Sequence, residues 1–232
     1  GMSEGVAKTG YPIENIHIIP NSSDISFFQL NKKLKIGLQN KYKWNVGDKI
    51  IIYTGTLGEI NGVEYLVDIA NEFIEINNKV KFLIVGDGIE EQAIRNKAKI
   101  YNCLDNNLFL INQLPKNKMP GLYNLSTIAT SLFIPLKEME ANSANKFFDT
   151  LAAGKPIVIN YGGWQKDLIE KHNIGLVLAR DPKVAANELN ELLLNDELLN
   201  TKGKNALALA KSEFSRDKLA QELIHILESL VS

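Results

Sequence analysis

From residue 49 onward the chain alternates two hydrophobic patterns. Short unbroken apolar runs are followed by stretches in which apolar residues recur every three or four positions. The run over 49–55, three isoleucines and a tyrosine closed by Gly55, predicts a strand buried on both faces. Behind it, Val63, Leu66, Val67, Ala70, Phe73 and Ile74 fall on one helical stripe. The pair repeats as a strand over 81–88 and a helix through Ile89, Ala93, Ile94, Ala98 and Tyr101. Runs over 107–112, 127–136, 156–160 and 175–179 predict four more strands, with a short helix near 119–125 between the first two. Asp181-Pro182 reads as a helix start, an N-cap followed by proline at the first helical position. A final helix from about Arg216 carries Leu219, Ala220, Leu223, Ile226, Leu227 and Leu230 on one stripe. Strand and helix in steady rotation predict an α/β fold of the doubly wound, Rossmann-like kind. Its sheet is mostly parallel, with helices on both faces.

The first 48 residues keep this rhythm poorly. A brief apolar strand over 16–19 and an Asn-Ser-Ser-Asp turn at 21–24 precede a predicted helix over 31–43, whose five lysines read as a solvated face. The expected organisation is a lead-in over 1–20, one Rossmann-like domain over 21–215 and a terminal helix over 216–232. The 232 residues are 45% hydrophobic, which suffices for a substantial core. Twenty-six basic against 27 acidic residues leave a net charge of -1, which excludes a general basic nucleic-acid binder. The single cysteine, Cys103, excludes a disulfide scaffold and fits a reducing, cytoplasmic setting. No apolar run reaches the roughly 18 to 20 residues that span a bilayer, and the opening ten residues hold no signal core. A soluble, cytoplasmic protein is the expectation.

In an open parallel sheet, ligands bind beyond the carboxyl ends of the strands. The loops predicted there are 54–62, 86–90, 112–118, 135–146 and 161–165. Three are glycine-rich, but none matches the dinucleotide fingerprint GxGxxG or the phosphate loop GxxxxGK[ST]. The segment 143–160 is the most informative. Ser143 is a natural N-cap, so Ala144, Asn145 and Lys146 are expected in the first helical turn. Free backbone N–H groups, the positive end of the helix dipole and a lysine together form an anion site. Asp149, three residues on, projects from the same side. It reads either as an acceptor for ribose hydroxyls or as the partner of Lys146 in a surface pair. Trp164 either stacks on a ligand or packs on the neighbouring helix. His17, His172 and His225 are scattered, and no Asp-x-Asp occurs, so no metal site is expected.

The stretch FFDTLAAGKPIV at 147–158, followed by Gly162-Gly163 and Gly175-Leu176, resembles the nucleotide-sugar-binding half of the group 1 (family 4) glycosyltransferases. Val85-Gly86-Asp87-Gly88 and Pro20-Asn21-Ser22-Ser23-Asp24 match two further motifs in the right order, and the resemblance covers roughly residues 10 to 230. Asn145-Lys146-Phe147-Phe148-Asp149 is similar to a branch that acts on surface polysaccharides. The resemblance implies one half of a GT-B fold, the C-terminal donor domain of a retaining enzyme. Residues 1–20 would then lead in from a hinge or absent acceptor domain, and the terminal helix would cross back to it. The implied partners are a nucleoside-diphosphate sugar and, through the acceptor domain, a saccharide or lipid-linked acceptor. No cofactor or metal is implied, and contact with the inner membrane face is expected only of a full-length protein.

The same resemblance implies roles for particular residues. Lys146 is the cation of the leaving diphosphate, beside Ser143 and Asn145, and Asp149 holds the ribose. Gln113, Leu114 and Asp87 line the base pocket, while Gly55, Gly162 and Gly163 admit the ligand close to the main chain, with Thr56 beside it. There are departures. The family's Arg and Lys in the first loop align with Thr56 and Asn61, and its paired glutamates align with Ala141 and Asp149. Glu138 or Glu140 is the candidate to reach the donor sugar in place of the first glutamate, and each also reads as a solvated loop charge. No general base is visible, in keeping with a family in which the departing phosphate is thought to deprotonate the acceptor. An epimerase of the same fold and a non-catalytic nucleotide-binding module are the alternatives.

Overall fold

The structure, a computed structural model, describes residues 2–30 and 37–229. In chain order the elements are α1 (Met2–Ala7), α2 (Ile25–Leu30), α3 (Leu38–Lys41), β1 (Lys49–Thr54), α4 (Glu64–Ile76), β2 (Val80–Val85), α5 (Glu91–Ile100) and β3 (Leu108–Ile111). There follow α6 (Met119–Leu125), β4 (Ile128–Ser131), α7 (Asn145–Ala153), β5 (Ile157–Ile159), α8 (Trp164–His172), β6 (Gly175–Val177), α9 (Pro182–Leu193), α10 (Asp196–Glu213) and α11 (Arg216–Ser229).

The six strands form one sheet in the order β3-β2-β1-β4-β5-β6, and every neighbouring pair is parallel. This is the expected doubly wound fold. Successive side chains of β1 serve opposite cores. Ile51 and Tyr53 join Leu66, Phe73, Ile94 and Leu189 on one face, while Ile50 and Ile52 join Phe28, Leu122 and Tyr123 on the other. The unbroken apolar run Ile50 to Tyr53 in β1 is what burial on both faces demands. The strand order reverses between β1 and β4, which leaves a crevice beyond their carboxyl ends.

Several expectations need correction. The fourth strand ends at Ser131, not near 136, because the next N–H groups turn away from the sheet. Phe133 donates to the Asn160 side chain at 3.0 Å and Ile134 to the Ile60 carbonyl at 3.1 Å. Residues 16–19 form no strand: none of them pairs with a strand of the sheet, and Ile18 is exposed. Of the helix expected over 31–43, only α3 is seen, and 31–36 lie outside the described residues. Ile89 and Ala93 are exposed, so α5 is held by Ile94 and Ala98, by the half-buried Tyr101 just past its end and by Lys97, which pairs with Glu64 and Asp68 of α4. On α11 only Leu219 is buried, while Leu223, Ile224 and Leu227 are about half exposed; Leu230 lies outside the described residues. The 18-residue α10 was not anticipated, although Asn195 caps it by accepting from the Leu198 N–H at 2.9 Å. No helix among the described residues is long and apolar enough to cross a membrane.

Candidate functional site

A cavity of about 640 Å³ opens at the crevice. Thr54, Gly55 and Thr56 after β1, Val85 of β2, Gln113, Leu114 and Lys116 after β3, and Phe133 after β4 form its floor and sides. Asn145, Lys146 and Asp149 of α7 form another wall, and Ser22, Ser23, Asp24, Phe27 and Phe28 with Arg216 close it.

The start of α7 differs from the sequence reading. Ser143 is not the N-cap. Its hydroxyl and carbonyl are both taken by Asn21, from the backbone N–H at 3.3 Å and the side-chain amide at 2.5 Å. The cap position falls to Ala144, in extended conformation, with no side-chain cap bond. Asn142 fixes that residue by accepting its N–H at 3.2 Å. The Asn145 and Lys146 N–H groups then have no acceptor among the described residues, so the positive end of α7 is open toward the cavity.

Lys146 and Asp149 do not form the surface pair that was one reading of their spacing. The Lys146 Nζ donates to the Tyr53 hydroxyl at 2.9 Å and sits 4.4 Å from the centre of that ring. It has no carboxylate partner among the described residues, and burial pulls its pKa down to about 8. Asp149 accepts from the Ser23 hydroxyl at 2.6 Å. Burial raises its pKa, opposed by that hydrogen bond and by the charges of Lys116 and Arg216. Ser23 is held in turn, its N–H by the Phe214 carbonyl at 3.2 Å and its carbonyl by the Arg216 N–H at 3.3 Å. Arg216 pairs with Asp24 at 3.2 Å, and Asp24 also accepts from the Phe27 N–H at 2.8 Å. The Pro20–Asp24 motif therefore braces α7, α2 and α11 at once.

Of the residues singled out by sequence, Gly55, Thr56, Gln113, Leu114, Asn145, Lys146 and Asp149 meet on the cavity wall. Asp87 is exposed and does not line the cavity, but it fixes the wall residue Gln113 by accepting its N–H at 3.1 Å. Glu138 and Glu140 are exposed on the 137–141 turn and do not line the cavity. Gly162 and Gly163 face that turn, not the cavity. A β-carbon on Gly163 would lie 2.2 Å from the Glu140 carbonyl oxygen. Trp164 donates to the Asn142 carbonyl at 2.9 Å and packs against Phe147, Phe148 and Phe214, which is the packing alternative. Tyr53, Ser23, Lys116 and Arg216 were not picked out as site residues. A tyrosine interrupting an isoleucine run was the available signal for the first. Nothing local marks Arg216, which arrives from the far end of the chain.

A half-buried cation and an open helix N-terminus at the reversal point of a doubly wound α/β sheet make an arrangement whose charge and free donors suit an anion. The sequence model of the group 1 glycosyl transferases matches residues 36–208, and the chain belongs to that family. It is 25% identical over 190 residues to spore coat protein SA of Bacillus subtilis, covering 78% of this chain and 49% of that protein. It is 22% identical over 204 residues to an uncharacterized glycosyltransferase of Methanocaldococcus jannaschii, covering 87% of this chain and 49% of the relative. The chain thus spans about half the length of the curated relatives it matches. Among solved structures, Anabaena Alr3699/HepE in complex with UDP and glucose superposes with a TM-score of 0.80 at 17% identity. The match covers 98% of this chain and 60% of that one. At that identity the likeness speaks for the fold, the Rossmann-like half of a GT-B glycosyltransferase.

Proposed function

We propose that this chain is the donor-binding half of a retaining glycosyltransferase. It would take a nucleoside-diphosphate sugar whose sugar passes to a saccharide or lipid-linked acceptor, in the cytoplasm, during surface-polysaccharide synthesis. One observation carries the reading: the half-buried Lys146, unpaired with any described carboxylate, stands beside two open N–H groups at the amino end of α7. Diphosphate departure concentrates negative charge on the leaving oxygens, and preorganised donors in a partly dry site stabilise it. No resident metal enters this reading. Asp149, one turn further on, accepts from the ribose hydroxyls. UDP is the first ligand to try, because the Anabaena neighbour is described with it.

Calorimetric titration with UDP, GDP, their sugars and uridine tests the reading. Both nucleoside diphosphates binding no better than uridine would overturn it. Asp149→Asn tests the ribose role, because a carboxylate serves two hydroxyls and an amide offers one accepting oxygen. The variant should bind a ribonucleoside diphosphate about tenfold more weakly, near one charge-assisted hydrogen bond, and lose its preference over a dideoxy analogue. An earlier melt with the preference intact would instead make Asp149 a brace for Ser23.

A second reading, a nucleotide-binding module without chemistry, is favoured by Thr56 and Asn61, neutral residues on the cavity wall where the family carries Arg and Lys. Binding with no transfer, measured on a protein that contains both halves, would select it.

A further inference from the structure

We propose that Tyr53 is a positioning residue that aims the Lys146 ammonium at the ligand phosphates without cancelling its charge. The proposal rests on the cavity being a diphosphate site.

Tyr53 is fully buried near the end of β1, where its neighbours Ile50, Ile51 and Ile52 need no hydrogen bonds. A buried phenol must satisfy its hydroxyl. The Tyr53 hydroxyl donates its one proton to the Thr56 carbonyl at 2.8 Å, which leaves the oxygen only as an acceptor on its other side. Lys146 supplies the donor there at 2.9 Å. A single phenol therefore joins the loop after β1 to the cation of α7. The ring adds a second hold, with the ammonium 4.4 Å from its centre and 5.5 Å from that of Phe133. The β-carbon position at Gly55 lies 3.6 Å from Nζ, so the loop leaves room for the lysine end.

A lysine ends in a compact charge on a flexible stem and keeps one direction only if something holds it. A carboxylate would hold it but would compete with phosphate for the same charge. The carboxylates bordering the cavity are engaged elsewhere, Asp24 by Arg216 and the Phe27 N–H, and Asp149 by Ser23. A phenol is neutral, so the ammonium keeps its full charge and two further N–H donors. Thr56 and Asn61 bring no charge to the wall, and Lys116 and Arg216 are exposed at its edge. The direction of Lys146 therefore decides how well a diphosphate is met.

Tyr53→Phe keeps the ring and removes only the acceptor. In the ligand-free chain, 15N NMR of the Lys146 side chain, assigned with Lys146→Arg, should show its titration midpoint falling by about one unit, because the charged form loses a hydrogen bond. UDP affinity at pH 7 should fall about five- to tenfold and uridine binding should stay unchanged. The double variant Tyr53→Phe/Lys146→Ala should bind UDP no more weakly than Lys146→Ala alone. An unmoved midpoint, or losses that add in the double variant, would overturn the proposal. If the wild-type chain binds no nucleoside diphosphate, the diphosphate reading and the proposal fall together as statements about ligand. The NMR midpoint alone still decides whether Tyr53 holds the ammonium. Should Tyr53→Phe not fold, 3-fluorotyrosine at position 53 keeps the shape, weakens the acceptor and must move the midpoint the same way.

Discussion

Gly55 and Gly163 follow β1 and β5 at the same edge of one sheet, both at positive φ, +134° and +80°. The sequence offers the same role to each, a glycine that lets a ligand approach. Their surroundings separate them. The space a β-carbon would take at Gly55 borders the tip of Lys146 at 3.6 Å, and the residue lies on the cavity wall. At Gly163 that space is filled by protein, with the Glu140 carbonyl oxygen 2.2 Å away. Each glycine also has a charged residue beside it. Lys146 is half-buried and has lost much of its hydration; Glu140 keeps its carboxylate in water. Glycine at a loop reports that something comes close to the backbone. Whether it is a ligand or another backbone is decided by chain segments far away in sequence.

The largest effect that would break this contrast is on stability. Gly163→Ala forces a side chain into a left-handed backbone and against a carbonyl. It should cost about 2 to 4 kcal/mol in denaturant unfolding, while the folded fraction binds UDP as the wild type does. Substitution at Gly55 meets backbone strain but ordinary contact distances, so its stability loss should be the smaller of the two. If Gly163→Ala left stability unchanged and abolished binding, the corner over β5 would be part of the ligand site.

Next comes Lys146. Lys146→Ala should weaken UDP binding by about 1.5 to 3 kcal/mol, the scale of a charge-assisted hydrogen bond, and leave uridine untouched. Equal losses for both would remove the phosphate role. Stability carries a second signature. Burial lowers this lysine from 10.5 to about 8, so between those values the unfolded chain binds the extra proton. Wild-type stability should gain from this group as pH rises from about 8 to 10.5, and Lys146→Ala should lack that gain. Below pH 8 the lysine is protonated in both states, and folding bears its full desolvation.

The fold was legible because it rests on local signals. Unbroken isoleucine and valine runs mark strands buried on both faces, and the Asp181-Pro182 start reappears as a cap, with Asp181 accepting the Val184 N–H at 2.9 Å. The α10 helix carries the same kind of signal, an asparagine cap ahead of Leu199, Ala206 and Leu209. The site was legible along α7, with Asn145, Lys146 and Asp149, and in the loops after β1 and β3, which bring Gly55, Thr56, Gln113 and Leu114 to the same wall. Its other half comes from long-range contacts. Ser23 meets Asp149 across 126 residues, and Arg216 meets Asp24 across 192. The Ser143 cap failed for the same reason. Its hydroxyl is a good cap in isolation, but Asn21 takes it from 122 residues away.

The smallest expected effect belongs to Glu140. Its side chain stands beside Gly162 and its backbone against Gly163, so its fixed part is main chain, which a substitution preserves. The carboxylate is exposed and lines no part of the cavity. Glu140→Ala should therefore leave both stability and UDP binding within about 0.5 kcal/mol of wild type, as for an ordinary surface position. Glu138→Ala should behave alike. The measurement gains force from repetition with UDP-glucose, because a carboxylate that reaches the sugar would leave UDP alone unaffected. A loss confined to the nucleotide sugar would show that the 137–141 turn swings toward the cavity on binding. In that case the contrast between the Gly55 and Gly163 corners would not carry over to the complex with a nucleotide sugar.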